Sequence, residues 1–210
     1  MTSVKIEDLI SSVRYIIDEQ QDVAGTSDTF DGDLDNMVQS LAARVLQMLM
    51  QSCPVSYFSE QDTGVPTSLD FSVLKIGDTE RYYISITLPD DYLRFFSLTL
   101  DKWRRPVTEL SNSNFEQSFA FSNINGTPFK PKVYLKDGRL MCFSVQDSTV
   151  QDSEVQLRYI KIPDVNDSGI NVPARLKNAY EYFLASEVLK VLGEAERSKS
   201  LMENVKLLIQ

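Results

Sequence analysis

The chain has no histidine among its 210 residues. That removes the imidazole base, the Ser-His nucleophile pair and the commonest protein metal ligand together, and with them most hydrolase and zinc-enzyme readings. Cys53 and Cys142 are too few for a disulfide framework or a four-thiolate site. Neither lies in a CxxC or beside a basic cluster, so buried spectator thiols are expected. No apolar run reaches the roughly 18 residues of a membrane span, and no charged-then-apolar leader opens the chain. The expectation is a soluble protein made in the cytosol. The glycines at 25, 32, 64, 77, 126, 138, 169 and 193 never stand two apart. There is therefore no GxGxxG, no GxSxG elbow and no phosphate loop ending in Gly-Lys-Ser/Thr, and no cofactor or metal is expected.

What remains is 42% apolar and 24% charged residues, enough to bury a full core. Val4, Leu9, Val13, Ile16 and Ile17 follow helical spacing over residues 3 to 18, with Ser3 as N-cap. Residues 19 to 32 are a polar, glycine-punctuated connection, long for a compact domain. Leu34, Met37, Val38, Leu41, Val45, Leu46 and Leu49 then form a second helical stripe that Pro54 stops.

Residues 55 to 172 change character. Short runs rich in Tyr, Phe, Val and Ile alternate with Gly, Asn, Asp and Pro, and predict strands near Leu69 to Ile76, Arg81 to Leu88, Phe95 to Leu100, Lys132 to Leu135, Arg139 to Val145 and Val155 to Ile162. Asp137-Gly138 between two apolar runs is a hairpin turn, and with no helix-sized pattern between strands the sheet is expected to be antiparallel. Pro173 opens a helix carrying Leu176, Ala179, Tyr180, Phe183, Leu184, Val188 and Val191, and Gly193 ends it. A last helix carries Leu201, Met202, Val205, Leu208 and Ile209. The fold class expected is α+β, with terminal helices (1–54 and 173–210) forming a bundle into which an antiparallel β domain (55–172) is inserted.

Charge is uneven along this layout. The chain carries 30 acidic and 21 basic residues, net −9; residues 1 to 54 hold −6, residues 55 to 172 −4 and residues 173 to 210 +1. Asp31, Asp33 and Asp35 begin like a calcium loop, yet Asn36 stands where the turn glycine belongs and Ala42 where a bidentate glutamate is needed, so they are read as acidic capping of the second helix. Asp90-Asp91 after Leu88-Pro89 is read as a turn rather than a carboxylate pair for acid/base work. Ser198-Lys199-Ser200 is read as a solvated helix face rather than a nucleophile pair. The Asn125-Gly126-Thr127 and Asn166-Asp167-Ser168 sequons carry no meaning without a secretory leader.

Lys102, Trp103, Arg104, Arg105 and Pro106 form the dense basic cluster of the sequence, around its single tryptophan. Phosphate charge and a stacking ring are the ingredients of nucleic-acid binding, but the net −9 opposes that reading. Arginine and tryptophan also anchor protein interfaces, so a subunit contact or internal packing is preferred. A heterologous contact needs two unlike faces, and the acidic group at Asp31, Asp33 and Asp35 supplies the complement to Lys102, Trp103, Arg104 and Arg105.

Leu88-Pro-Asp-Asp-Tyr-Leu-Arg94, Leu98-Thr-Leu100 and Lys102-Trp-Arg-Arg-Pro-Val-Thr-Glu-Leu110 together resemble the middle of the head-to-tail connector proteins of short-tailed bacteriophages. These are the tail-tubular-A-like adaptors, including ring proteins of crAss-like phages. The layout is similar too, with helices at both ends, a β domain between and a late Ala-Tyr-Glu-Tyr-Phe-Leu-Ala helix at 179 to 185. The close likeness covers a short central stretch; residues 19 to 32 and 111 to 131 have no counterpart in it.

The resemblance implies a structural virion protein, not an enzyme. It implies a dodecameric homo-oligomeric ring under the portal protein, a platform for the next tail component, and a place in the tail or neck of the virion after synthesis in the bacterial cytoplasm. DNA would pass through without specific binding, with no membrane involved. An acidic chain suits such a conduit, because acidic side chains repel phosphate. The alternative is a non-enzymatic tail or baseplate accessory module that binds through the aromatic β region. Hydrolysis by a carboxylate pair is left with Glu109 and Glu116 as its nearest candidates.

Overall fold

A computed structural model describes residues 2–19, 31–75, 82–111, 127–145, 149–150, 154–166 and 169–210. Most of the 19–32 connection, Glu116, and parts of both sequons lie outside the described residues, as do the side chains of Asp31 and Asp33. The fold is α+β. The chain divides into two compact units, one made of 1–62 with 162–210 and the other of 63–161, so the β segment is an insertion in a helical unit.

In the helical unit, β1 (Thr2–Val4) precedes α1 (Ile6–Glu19), and α2 (Asp31–Ser52) follows. Late in the chain come β9 (Val165–Asn166), β10 (Gly169–Val172), α3 (Lys177–Val191) and α4 (Ala195–Leu208). The apolar stripes are the reason for these helices. Leu9, Val13, Ile16 and Ile17 of α1, Val38, Ala42, Val45, Leu46 and Leu49 of α2, and Ala179, Tyr180, Leu184 and Val188 of α3 are all buried. α3 packs against α1, α2 and α4 and is the centre of the unit. Its buried Tyr180 hydroxyl donates to the Ala42 carbonyl at 2.9 Å, and Ser186 Oγ donates to the Ser198 carbonyl of α4 at 2.9 Å, so these inward polar groups are satisfied. Among the described residues, no helix is long and apolar enough to cross a membrane.

The structure corrects the start of the first helix. Residues 2 to 4 are a strand, not the cap and first turn of a helix, because Val4 pairs with Ile170 and Thr2 with Val172 in a three-stranded sheet β1-β10-β9. A three-residue strand is too short for its alternation to be told from helical spacing. The same pairing ties residues 170 to 172 to the helical unit; the inserted unit is 63–161, and residues 55–62 and 162–172, which the sequence reading places in the insertion, belong to the helical unit. Gly169 makes the pairing possible: its φ is 138°, and a Cβ there would strike the Val4 carbonyl oxygen.

The second unit holds β2 (Thr63–Gly64), β3 (Phe71–Lys75), β4 (Tyr82–Thr87), β5 (Tyr92–Leu100), β6 (Lys132–Lys136), β7 (Arg139–Val145) and β8 (Val155–Lys161). They form two antiparallel sheets, β3-β4-β7-β6 and β2-β8-β5. Ile84, Ile86, Val133, Leu140 and Cys142 from the first sheet join Phe95, Leu98, Leu100, Leu157 and Tyr159 from the second in a single core. The other face of the four-stranded sheet is aromatic: the Phe143 ring lies 5.5 Å from both Tyr83 (stacked) and Tyr134 (edge-on). Asp137 (φ 51°) and Gly138 (φ 72°) both take positive φ in the β6–β7 hairpin, as a two-residue turn of that kind requires.

Candidate functional site

β5 joins two exposed turns of opposite charge. At its C-terminal end the chain turns at Asp101–Pro106. The Trp103 N–H donates to the Leu100 carbonyl at 2.8 Å, and Leu98 and Val107 exchange both backbone hydrogen bonds at 2.9 and 2.8 Å. This hydrogen bonding turns the chain back on itself and fixes the directions of the side chains. Trp103 points inward, 6% exposed and part of the β core, while Lys102, Arg104 and Arg105 point outward. The tryptophan therefore supplies internal packing and the cations supply surface.

A second segment joins this turn. The Arg104 N–H donates to the Pro128 carbonyl at 3.2 Å, and the Arg104 guanidinium lies 4.5 Å from the centroid of the Phe129 ring. Thr127–Lys130 is itself a tight turn, the Lys130 N–H donating to the Thr127 carbonyl at 2.9 Å. Phe129 at its tip is 59% exposed, and Lys130 is exposed beside it. The result is an exposed aromatic ring beneath the Arg104 guanidinium, on a turn hydrogen-bonded to the one that carries Lys102 and Arg105. Sequence reasoning found the first half of this knob and missed Phe129 and Lys130, because 22 residues separate Pro106 from Phe129 and no local pattern links them.

Of the acidic partners named from the sequence, Asp35 has a described side chain and those of Asp31 and Asp33 lie outside the described residues. Asp35 on α2 accepts hydrogen bonds from Arg14 of α1 on one oxygen, Oδ1, at 2.8 Å from Nη2 and 3.2 Å from Nε. Both side chains are more than one-third exposed, so this ion pair contributes about 0–1 kcal/mol, yet it supplies Asp35 with a cation inside its own unit. Glu109 is exposed in the strand-like return after the basic turn.

At the N-terminal end of β5 lies a cleft of about 410 Å³, lined by Val65–Asp70, Thr87–Asp91, Tyr159 and Lys161. Leu88-Pro89-Asp90-Asp91 makes the turn expected of it, the Tyr92 N–H donating to the Pro89 carbonyl at 3.0 Å. Asp70 is fixed by Thr87, whose hydroxyl donates to Oδ2 at 2.8 Å and whose N–H donates to the Asp70 carbonyl at 2.8 Å. Asp91 sits deeper. The Tyr159 hydroxyl donates to its Oδ1 at 2.6 Å and Lys161 Nζ meets its Oδ2 at 3.1 Å. Burial pushes the Asp91 carboxyl up, but the hydrogen bonds from Tyr159 and Lys161 and the Lys161 charge outweigh it and hold the group below its ordinary value. Burial and the adjoining carboxylate push the Tyr159 phenol well up, and burial takes Tyr92, stacked 5.8 Å from it, to about 12.

A carboxylate held ionised by two donors is a poor base, and a phenol held protonated is a poor nucleophile. Among the described residues no cluster of three Asp, Glu or Cys side chains is arranged to hold a metal. Two exposed carboxylates, Asp70 and Asp90, line the cleft together with Val65, Leu69 and Leu88. The buried serine pair Ser186 and Ser198 is 3.1 Å apart at Oγ with Lys199 turned away to Glu196 at 2.8 Å, so Ser198-Lys199 is no nucleophile and base.

Compared with known proteins, the chain matches no family model and no curated protein.

Proposed function

We propose that the chain is a structural subunit of a tailed-bacteriophage virion, a head-to-tail connector that assembles as a ring between the portal and the tail and forms part of the DNA passage. The observation that carries the reading is that the two stretches resembling such connectors, Leu88–Arg94 and Lys102–Leu110, occupy the two ends of a single strand, β5, in a β unit inserted between terminal helices. One end is acidic and the other basic and aromatic, which are the unlike faces that a head-to-tail contact between copies requires. The net charge of −9 fits a wall that duplex DNA must pass without being held.

A second reading, an accessory binding module of the tail or baseplate, draws support from the open cleft beside Asp91. Electron microscopy of the purified chain mixed with its portal separates the two. Rings seated on the portal are the expected result. A chain that stays off the portal and is missing from finished virions overturns the connector reading, as does catalytic turnover by the isolated protein.

A further inference from the structure

The knob and the cleft are complementary to each other. Phe129 is a large apolar side chain left 59% exposed under the Arg104 guanidinium, with Lys130 next to it in the chain and Arg105 exposed on the Asp101–Pro106 turn. The cleft is lined by Leu69, Leu88 and the exposed Val65 together with the carboxylates of Asp70, Asp90 and Asp91, and its volume of about 410 Å³ is more than one phenyl ring fills. Lys161, the cation in the cleft, is matched to Asp91 at 3.1 Å. Asp70 is held by the neutral Thr87 hydroxyl, and Asp90 is exposed at the rim. An apolar ring entering there would bring its guanidinium and ammonium groups to the carboxylate rim.

The two features cannot meet within one copy. They sit at opposite ends of β5, a strand from Tyr92 to Leu100, and so roughly 25 Å apart by strand length. We infer that Phe129, with Arg104 and Arg105, docks into the Asp70–Asp90–Asp91 cleft of a second copy of this chain. The contact is heterologous, one end of the β unit against the other end of the next, and therefore closes into a ring or runs on as a filament. It deepens the connector reading and rests on it for the choice of a second copy as occupant. It also names an acidic face different from Asp31, Asp33 and Asp35.

The test uses the full chain and sedimentation velocity over a wide concentration range, with far-UV circular dichroism confirming that each variant is folded. Wild type is expected to associate. Phe129→Ala, which removes the anchor, is expected to weaken association by roughly tenfold or more, and Arg105→Glu and Asp90→Arg each by a similar factor. The two charge reversals mixed in equal amounts are expected to recover it, since each supplies the face the other needs. Wild type that remains monomeric throughout, single variants that associate like wild type, or a mixture that fails to recover would each overturn the contact. So would loss of association in an Asp31, Asp33 and Asp35 to Asn variant with Asp90→Arg unaffected. Unchanged association in all cleft and knob variants together with rings on the portal removes this contact and leaves the connector reading standing. A protein that pairs through the cleft but is missing from virions does the reverse.

Discussion

The pairing of Asp91 with Tyr159 sets a measurable coupling inside the β unit. Tyr159 is 2% exposed, and its hydroxyl donates to Asp91 at 2.6 Å. Asp91→Ala leaves that buried hydroxyl without its acceptor, at a cost of about 1–3 kcal/mol. Tyr159→Phe removes the donor while Asp91 keeps Lys161 at 3.1 Å and access to water, and costs about 0.5–1.5 kcal/mol. In the double variant no hydroxyl is stranded, so the losses fall short of their sum by roughly 1 kcal/mol or more, the coupling expected of a hydrogen bond to a charged group. The chain's single tryptophan makes the assay specific: Trp103 lies in the β core, so its fluorescence during urea unfolding reports this unit alone. The pH dependence has a fixed sign. A carboxyl whose folded value lies below its ordinary one contributes stability that is present above the unfolded pKa and is lost as pH falls through the folded one, so the wild type should weaken in acid more than Asp91→Asn does. Additive single losses, or equal acid sensitivity in wild type and Asp91→Asn, would refute the reasoning.

Three further outcomes are expected. Gly169→Ala meets both a positive φ of 138° and the Val4 carbonyl, and should destabilise the helical unit by about 1–3 kcal/mol or more, read from the loss of far-UV ellipticity in urea; a neutral result contradicts the β1–β10 geometry. Burial raises the Glu181 carboxyl against the opposing pull of Lys177 and Ser12, so its stability contribution is present below the unfolded pKa and lost as pH rises through the folded one; Glu181→Gln should therefore raise the thermal midpoint at neutral pH and leave it nearly unchanged in acid. Cys53 and Cys142 are both fully buried, and burial pushes the Cys142 thiol well above its ordinary value, so neither should react with a thiol reagent until the protein is unfolded.

The helices and the hairpin were legible because each carries a periodic or local signal. Leu9, Val13 and Ile16 are buried at the positions that helical spacing assigns them, and Asp137-Gly138 adopts the paired positive φ that its residue types favour. β5 was legible only from Phe95 onward, and the reason is register. Its pairing with β8 slips between Tyr92 and Arg94 and again between Phe95 and Ser97. Phe95 and Leu98, an odd number of residues apart, both face the core as a result, and no period-2 pattern survives across such a bulge. Boundaries failed where long-range pairing decides them: Val165 to Val172 reads locally as one more strand-and-turn stretch of the β insertion, and only its partner at residues 2 to 4 assigns it to the helical unit.

The site divides along the same line. Charge is a local property, so the basic turn at Lys102–Arg105 stands out in the sequence, while the side-chain directions within it do not. Trp103, flanked by cations, has the composition of an interface anchor, but the turn after Leu100 directs it into the core. The exposed aromatic role passes to Phe129, which carries no such flag in Thr127-Pro-Phe-Lys130 until Arg104 is laid over its ring. The cleft is harder still to read, since Asp70, Asp91 and Lys161 come from three segments: the pairing of β5 with β8 brings Lys161 to Asp91, and hydrogen bonds with Thr87 of β4 hold Asp70. In the contact inferred above, the basic end of one copy and the carboxylate-lined cleft of the next would attract each other while the net charge of −9 repels copies in other orientations. Raising the salt concentration weakens both terms, so a contact held mainly by the Phe129 ring keeps its strength as salt rises, whereas one held mainly by Arg104 and Arg105 loses it.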